Sequence, residues 1–262
     1  MAPFTEATTG YWQRLLEGDE AARALRVPPP WRFGYPARLP DGRVLMLPIR
    51  ALPEVAAGPG PVPGAQATSP RQSAVPASAP TPPRQAVASL LVNQASLTVV
   101  DELGRLLAQA LAPLAPEVLV GLPTLGLTLA AATARALGHA RYVPLGTSRK
   151  FWYDEALGAD VTSITSPDRA KRIYLDPQQR ALVEGRRVAL VDDAISTGRT
   201  APPVWDLLER VGADVVAYGV AMRQGERWQA ELGPHRAARV VGVFDSPLLQ
   251  AAPEGWVLRE VG

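Results

Sequence analysis

Along most of this chain, apolar positions alternate between two spacings. Leucines recur at helical spacing over residues 97–111 and stop before Pro113. A short apolar run follows at 118–122, then an alanine-rich helical stretch at 127–137 with Gly138 placed to end it. Residues 141–145 and 188–191 read as strands, 204–211 as a helix, and 215–222 and 239–244 as two more strands. Strands separated by helices predict parallel β-α-β units with right-handed crossovers. The expected fold is therefore α/β, an open, doubly wound, mostly parallel sheet of about five strands. Ligands of such sheets bind beyond the carboxyl ends of the strands, so the residues after Leu122, Leu145 and Val191 are expected to face one another.

The ends of the chain follow other patterns. Residues 11–25 carry apolar side chains at roughly helical spacing. Two strand-like runs, 31–37 and 43–49, flank the turn signal Leu39-Pro40-Asp41-Gly42 and predict a β-hairpin. Residues 53–83 are dense in Pro, Ala, Gly and Ser with almost no bulky apolar side chain, too little to offset the entropy of ordering, and predict a flexible linker. The expected organisation is an N-terminal helix and hairpin region (1–52), a linker (53–86), and an α/β domain with a C-terminal tail (87–262).

Composition narrows the function. Nearly half of the 262 residues are apolar, and the 27 basic residues exceed the 25 acidic ones by only two. That balance, without a Lys/Arg block longer than a dipeptide, predicts neither a nucleic-acid binder nor a membrane-surface protein. The chain has no cysteine, which excludes disulfides and thiolate metal sites. With only His139 and His235, a histidine-rich metal site is not expected. The absence of a long apolar run or a secretory leader pattern predicts a soluble, cytoplasmic protein.

The stretch from Arg187 to Thr200 carries the chemistry. Four apolar residues (188–191) are followed by Asp192 and Asp193, then Ala194, Ile195, Ser196, Thr197, Gly198, Arg199 and Thr200, and Ala201-Pro202-Pro203 opens a helix. A strand–loop–helix of this kind converges backbone N–H groups on an anion, and the helix dipole helps. Carboxylates repel a bare phosphate. The two acids make sense if the ligand also carries hydroxyls, so an anion cradle beside a diol acceptor points to a ribose 5-phosphate.

This segment resembles the 5-phosphoribosyl-1-pyrophosphate (PRPP) signature of type I phosphoribosyltransferases, with the smaller Ala194 and the bulkier Arg199 as departures. The resemblance implies that Asp192 and Asp193 bind the ribose hydroxyls and residues 194–200 the 5-phosphate. It also implies that Pro123, Thr124, Leu125 and Gly126 form the pyrophosphate loop, with a non-proline cis peptide between Pro123 and Thr124. Adenine phosphoribosyltransferases usually carry arginine where Leu125 stands, and the later pair Arg149-Lys150 is the expected replacement, aimed at charge developing on the leaving group. Residues 160–164 and 172–175 around 166–171 are placed like the family's mobile hairpin, with Arg169, Lys171 and Arg172 as lid cations. The order of these features is similar to the adenine/xanthine branch. By the same resemblance the expected cofactor is Mg²⁺, with no direct protein ligand beyond Asp192 and Asp193 through water. The expected partners are PRPP, a nucleobase, pyrophosphate and a second copy of the chain. A hood from the N-terminal hairpin or from the tail 244–261 is expected to hold the base, and Trp152, Tyr153, Phe244 and Trp256 are read either as rings that stack on it or, as is commoner for aromatics, as core residues.

Two functions remain open from sequence. One is an enzyme that transfers phosphoribose to a base, a purine by preference. The other is a PRPP-sensing regulator with little turnover, which Leu125 favours. A nucleotide phosphotransferase would need a Gly-x-x-x-x-Gly-Lys-Ser/Thr loop, and none occurs.

Overall fold

The computed structural model describes residues 10–52, 85–163 and 166–259. In chain order they form α1 (Gly18–Leu25), β1 (Gly34–Arg38), β2 (Val44–Ala51), β3 (Gln85–Ala88), α2 (Leu97–Leu111), β4 (Val118–Gly121), α3 (Leu125–Ala136), β5 (Val143–Pro144), β6 (Gly158–Ser163) and β7 (Ser166–Tyr174). The remaining elements are α4 (Arg180–Val183), β8 (Arg187–Ile195), α5 (Ala201–Arg210), β9 (Asp214–Gln224), α6 (Arg227–Ala237), β10 (Val240–Ser246), β11 (Leu248–Ala252) and β12 (Gly255–Leu258).

Five parallel strands form the central sheet in the order β10-β9-β8-β4-β5, as the sequence pattern predicts. Its strands are short apolar runs because both faces are covered. On one face Ala189 and Val191 of β8 pack with Leu103 and Leu107 of α2 and with Leu129 of α3. On the other, Val188 and Leu190 pack with Val204, Trp205 and Leu208 of α5. The chain leaves β4 towards β5 on one side and then returns to place β8 on the other. The strand order therefore reverses between β4 and β8, and there the crevice of a doubly wound sheet opens.

A second five-stranded sheet, β1-β2-β3-β11-β12, draws strands from both ends of the chain. Its β1–β2 hairpin turns at Leu39–Gly42, where Leu39 N–H donates to the Arg43 carbonyl at 2.8 Å. Gln224, at the end of β9, donates its side-chain amide to the Ala88 carbonyl at 3.0 Å and ties the two sheets together. Leu39, Leu45 and Leu47 lie in the same buried cluster as Leu103 and Phe244.

Three expectations need correction. The helix expected over 11–25 is confined to Gly18–Leu25. Leu16 instead exchanges two backbone hydrogen bonds with Val44, and Trp12 turns into the core with its indole N–H on the Ser89 carbonyl. Tertiary burial, not helix formation, satisfies that apolar spacing. The strand expected at 188–191 runs on to Ile195, because β9 continues beside it and pairs Asp192 with Val220 and Ile195 with Arg223. Finally, Phe244 and Trp256 are core residues, 3% and 4% exposed, and are not free to stack on a ligand. The linker proposed for 53–83 lies outside the described residues.

Candidate active site

Two strand–loop–helix units meet at the switch point. Beyond β4, Leu122 N–H donates to the Val191 carbonyl at 2.9 Å, and the Pro123–Thr124 peptide is cis, at the bond the resemblance indicated. The helix α3 then begins at Leu125, two residues earlier than its apolar spacing suggested. Its second residue, Gly126, sits against the acid strand: a Cβ there would lie 2.7 Å from Asp192 Cα and from the Val191 carbonyl oxygen. The expected pyrophosphate loop and the expected ribose acids are thus in contact, and only glycine permits the approach. Leu125 is half-buried and Thr124 exposed.

The acids lie within β8, not in the loop after it. Asp192 is held from two sides: its Oδ1 accepts from Asp193 N–H at 2.9 Å and its Oδ2 from the Tyr218 hydroxyl at 3.1 Å. Burial, then the neighbouring Asp193 charge, pushes the Asp192 carboxyl well above the usual carboxylate range. Burial pushes Asp193 up to about 6. The Tyr218 hydroxyl is raised well above its ordinary value by burial and by Asp192, so it stays a donor. Both carboxyls are costly to ionise in the bare protein, a cost that a bound cation or hydroxyl donors would offset.

Residues Ser196 to Thr200 link β8 to α5, whose first turn carries Pro202 and Pro203 at positions that need no N–H partner. Gly198 has φ +82°, and a Cβ on it would meet Leu232 Cδ1 at 2.7 Å and Trp228 Cα at 3.1 Å. The loop is therefore wedged against α6, and at the start of α5 Ala201 N–H donates to the Gly198 carbonyl at 3.2 Å while Pro202 and Pro203 carry no N–H.

The basic residues are arranged by an acid that the sequence reading passed over. The Glu155 carboxylate lies between Arg149 (2.6 Å) and Arg172 (3.1 Å), and Arg172 also pairs with Asp160 at 2.8 Å. The structure so brings one member of the Arg149-Lys150 pair to the base of the β6–β7 hairpin. Lys150 and Lys171 are exposed. The hairpin is antiparallel, from Gly158 opposite Tyr174 to Ser163 opposite Ser166, and is stitched to the loop after β5 by two hydrogen bonds between Gly146 and Tyr174. Ile164 and the side chain of Arg169 lie outside the described residues. Trp152 and Tyr153 stack edge-on with each other, and Trp152 with Phe151.

Beside the crevice a cavity of about 660 Å³ opens at the carboxyl ends of β9 and β10, lined by Arg223, Trp228, Asp245, Ser246, Leu248 and Arg259 among others. Arg223 and Asp245 form a two-pronged ion pair (2.7 and 3.1 Å) on its wall. The Ser246 hydroxyl is buried without a hydrogen-bond partner among the described residues. Trp228 touches Gly198, so cavity and loop share a wall. The rule that strand ends carry ligands was enough to find Arg223 and Asp245. They stand immediately after the predicted strands 215–222 and 239–244.

This arrangement is that of a doubly wound α/β protein with two strand–loop–helix units converging on one crevice. Residues 86–237 match the model of the phosphoribosyl transferase domain, and the chain belongs to that family. It is 36% identical over 119 residues to a xanthine phosphoribosyltransferase of Chloroflexus aurantiacus, covering 45% of this chain and 54% of that one. It is 33% identical over 122 residues to an adenine phosphoribosyltransferase of Rhodospirillum centenum, covering 44% of this chain and 64% of that one. The chain so matches between about half and two thirds of these relatives' length. Among solved structures, it is similar to adenine phosphoribosyltransferase from Rhodothermus marinus at 22% identity and a TM-score of 0.47, covering 57% of this chain and 80% of that one. No helix among the described residues is long and apolar enough to cross a membrane.

Proposed function

We propose that the protein is a Mg²⁺-dependent phosphoribosyltransferase that moves 5-phosphoribose from PRPP to a nitrogenous base, a purine in first preference, and releases pyrophosphate. The observation that carries this reading is the contact of Gly126 with Asp192, which joins the loop after β4 to the acids of β8 in one crevice. In this reading the N–H groups of 196–200 hold the 5-phosphate, Asp192 and Asp193 accept the ribose hydroxyls, and residues 123–126 face the pyrophosphate. The C1–oxygen bond to pyrophosphate breaks as the base nitrogen bonds to C1, so positioning and stabilisation of the leaving charge supply the catalysis. The two carboxylates are hard oxygen donors that fit a hydrated Mg²⁺, which would neutralise part of the pyrophosphate charge when bound. The hairpin β6–β7, with Lys171 and Arg172 at its base, is the segment that would exclude water. The names of the xanthine- and adenine-specific relatives support the purine preference.

The cavity between β9, β10 and β11 is the proposed seat of the base, roofed by a sheet that both ends of the chain build. A homodimer belongs to the same reading. A PRPP-sensing regulator is favoured by one observation, the uncharged Leu125 together with an Arg149 already engaged by Glu155. Incubation with PRPP, Mg²⁺ and a panel of bases, reading pyrophosphate release, separates the two. Release with a purine is expected. PRPP binding without release from any base would establish the regulator, and no PRPP binding by calorimetry would remove both.

A further inference from the structure

Tyr218 is the one side chain that donates a hydrogen bond to the acid pair from outside β8 among the described residues, and the sequence pattern marks it only as part of an apolar strand. It stands on β9 opposite Leu190, on the sheet face covered by α5, and is 1% exposed within the cluster that holds Trp205 and Leu208. Residues 190 and 192 share that face, since side chains alternate along a strand. The tyrosine ring therefore runs along β8 towards Asp192 and ends with its hydroxyl 3.1 Å from Oδ2. The other oxygen is fixed by Asp193 N–H at 2.9 Å.

We propose that Tyr218 is a positioning residue: its hydroxyl, opposite the Asp193 N–H, locks the Asp192 carboxylate in the one orientation that receives the ribose hydroxyls. A carboxylate has about four lone-pair positions. Two are taken by these fixed donors, one on each oxygen, and two remain for the ligand. Without the hydroxyl, Oδ2 loses its only donor from outside β8 among the described residues, and the carboxylate is free to rotate about its terminal bond, whose torsional preference is broad. Repulsion from Asp193 then decides where it points. The ligand must reorient the group on binding, and that cost falls on affinity. The inference rests on the proposed PRPP site.

The test is a double-mutant cycle read by calorimetry with PRPP and Mg²⁺, alongside steady-state kinetics and melting temperature. Tyr218→Phe keeps the buried ring and removes the hydroxyl. Its affinity for PRPP is expected to fall about tenfold, with kcat at saturating PRPP changed less than about twofold, as for loss of a hydrogen bond to a charged group that acts on ligand binding. In an Asp192→Asn background the same replacement should cost no further affinity, because the carboxylate that it orients is gone. If Tyr218→Phe alone does not fold, the Asp192→Asn background still tests the proposal: a further loss of PRPP affinity on adding Tyr218→Phe there overturns it, and no further loss supports it. Wild-type affinity in Tyr218→Phe, or an equal loss in both backgrounds, overturns the proposal: the hydroxyl is then purely structural, or acts elsewhere. Wild-type protein that fails to bind PRPP overturns the underlying site instead, so the two failures are distinguishable.

Discussion

Asp193 shows how a residue of the proposed site can work against stability. Its carboxyl is pushed up to about 6 by burial, above the roughly 3.9 of an unfolded aspartate. Between those values the folded chain binds more protons than the unfolded one. The stability of the bare protein therefore falls as pH rises from about 4 through 6, by an amount on the order of 3 kcal/mol. Asp193→Asn should raise the melting temperature at pH 8 by roughly 6–12 °C and lose that advantage at pH 4. A gain that is absent, or that does not vary with pH, would show the carboxyl to be unperturbed. The Asp192→Asn, Asp193→Asn double variant should keep its fold and lose PRPP affinity, and an unchanged PRPP titration would remove the ribose role. Gly126 is as exacting. Gly126→Ala places a methyl group 2.7 Å from two backbone atoms of β8, which must part. Overpacking of this kind costs roughly 1–3 kcal/mol, and PRPP affinity should fall with it. Wild-type stability and affinity in this variant would show that the loop yields freely.

At the scale of elements, the site is two loops and a hairpin held by shared contacts. Glu155 holds Arg149 and Arg172 on one carboxylate and so bridges the loop after β5 to the base of the hairpin. Leu125 offers no charge to pyrophosphate, which leaves the Arg149-Lys150 pair as the proposed source. Arg149→Ala with Lys150→Ala should lower turnover about a hundredfold while weakening PRPP binding much less. Turnover at the wild-type rate would make the pair a solvated turn and move attention to Lys171 and Arg172. Sequence pattern located the strands and long helices of the sheet but passed over α6, the element against which the phosphate loop packs. The reason is visible in the chain: α6 is broken by Gly233, with φ +71°, and Pro234, and its two buried residues Trp228 and Leu232 are too few to print a periodic stripe.

At the scale of the molecule, the second sheet packs against the first and joins segments far apart in sequence. Ala51 pairs with Ala86, and Leu52 N–H donates to the Gln85 carbonyl at 2.8 Å, so the two ends of the segment between them meet. A four-residue turn in place of residues 53–84 should therefore fold. Shortening the loop by three halvings should contribute about 2 kcal/mol through reduced closure entropy. The melting temperature is expected to hold or rise, and a fall beyond about 5 °C would show that the segment itself carries stability. The sequence by itself determined the parallel sheet, because apolar runs buried on both faces leave a pattern that few other folds share. It also determined the acid pair and the Ser-Thr-Gly loop, whose residues are contiguous and need no partner to be recognised. Only the tertiary structure decided the long-range contacts. The Tyr218 clamp on Asp192, the Glu155 bridge, the Arg223–Asp245 pair and the pairing of β3 with β11 are contacts between residues 6 to 165 positions apart. Local spacing carries no record of such distances, which are set by strand order and register.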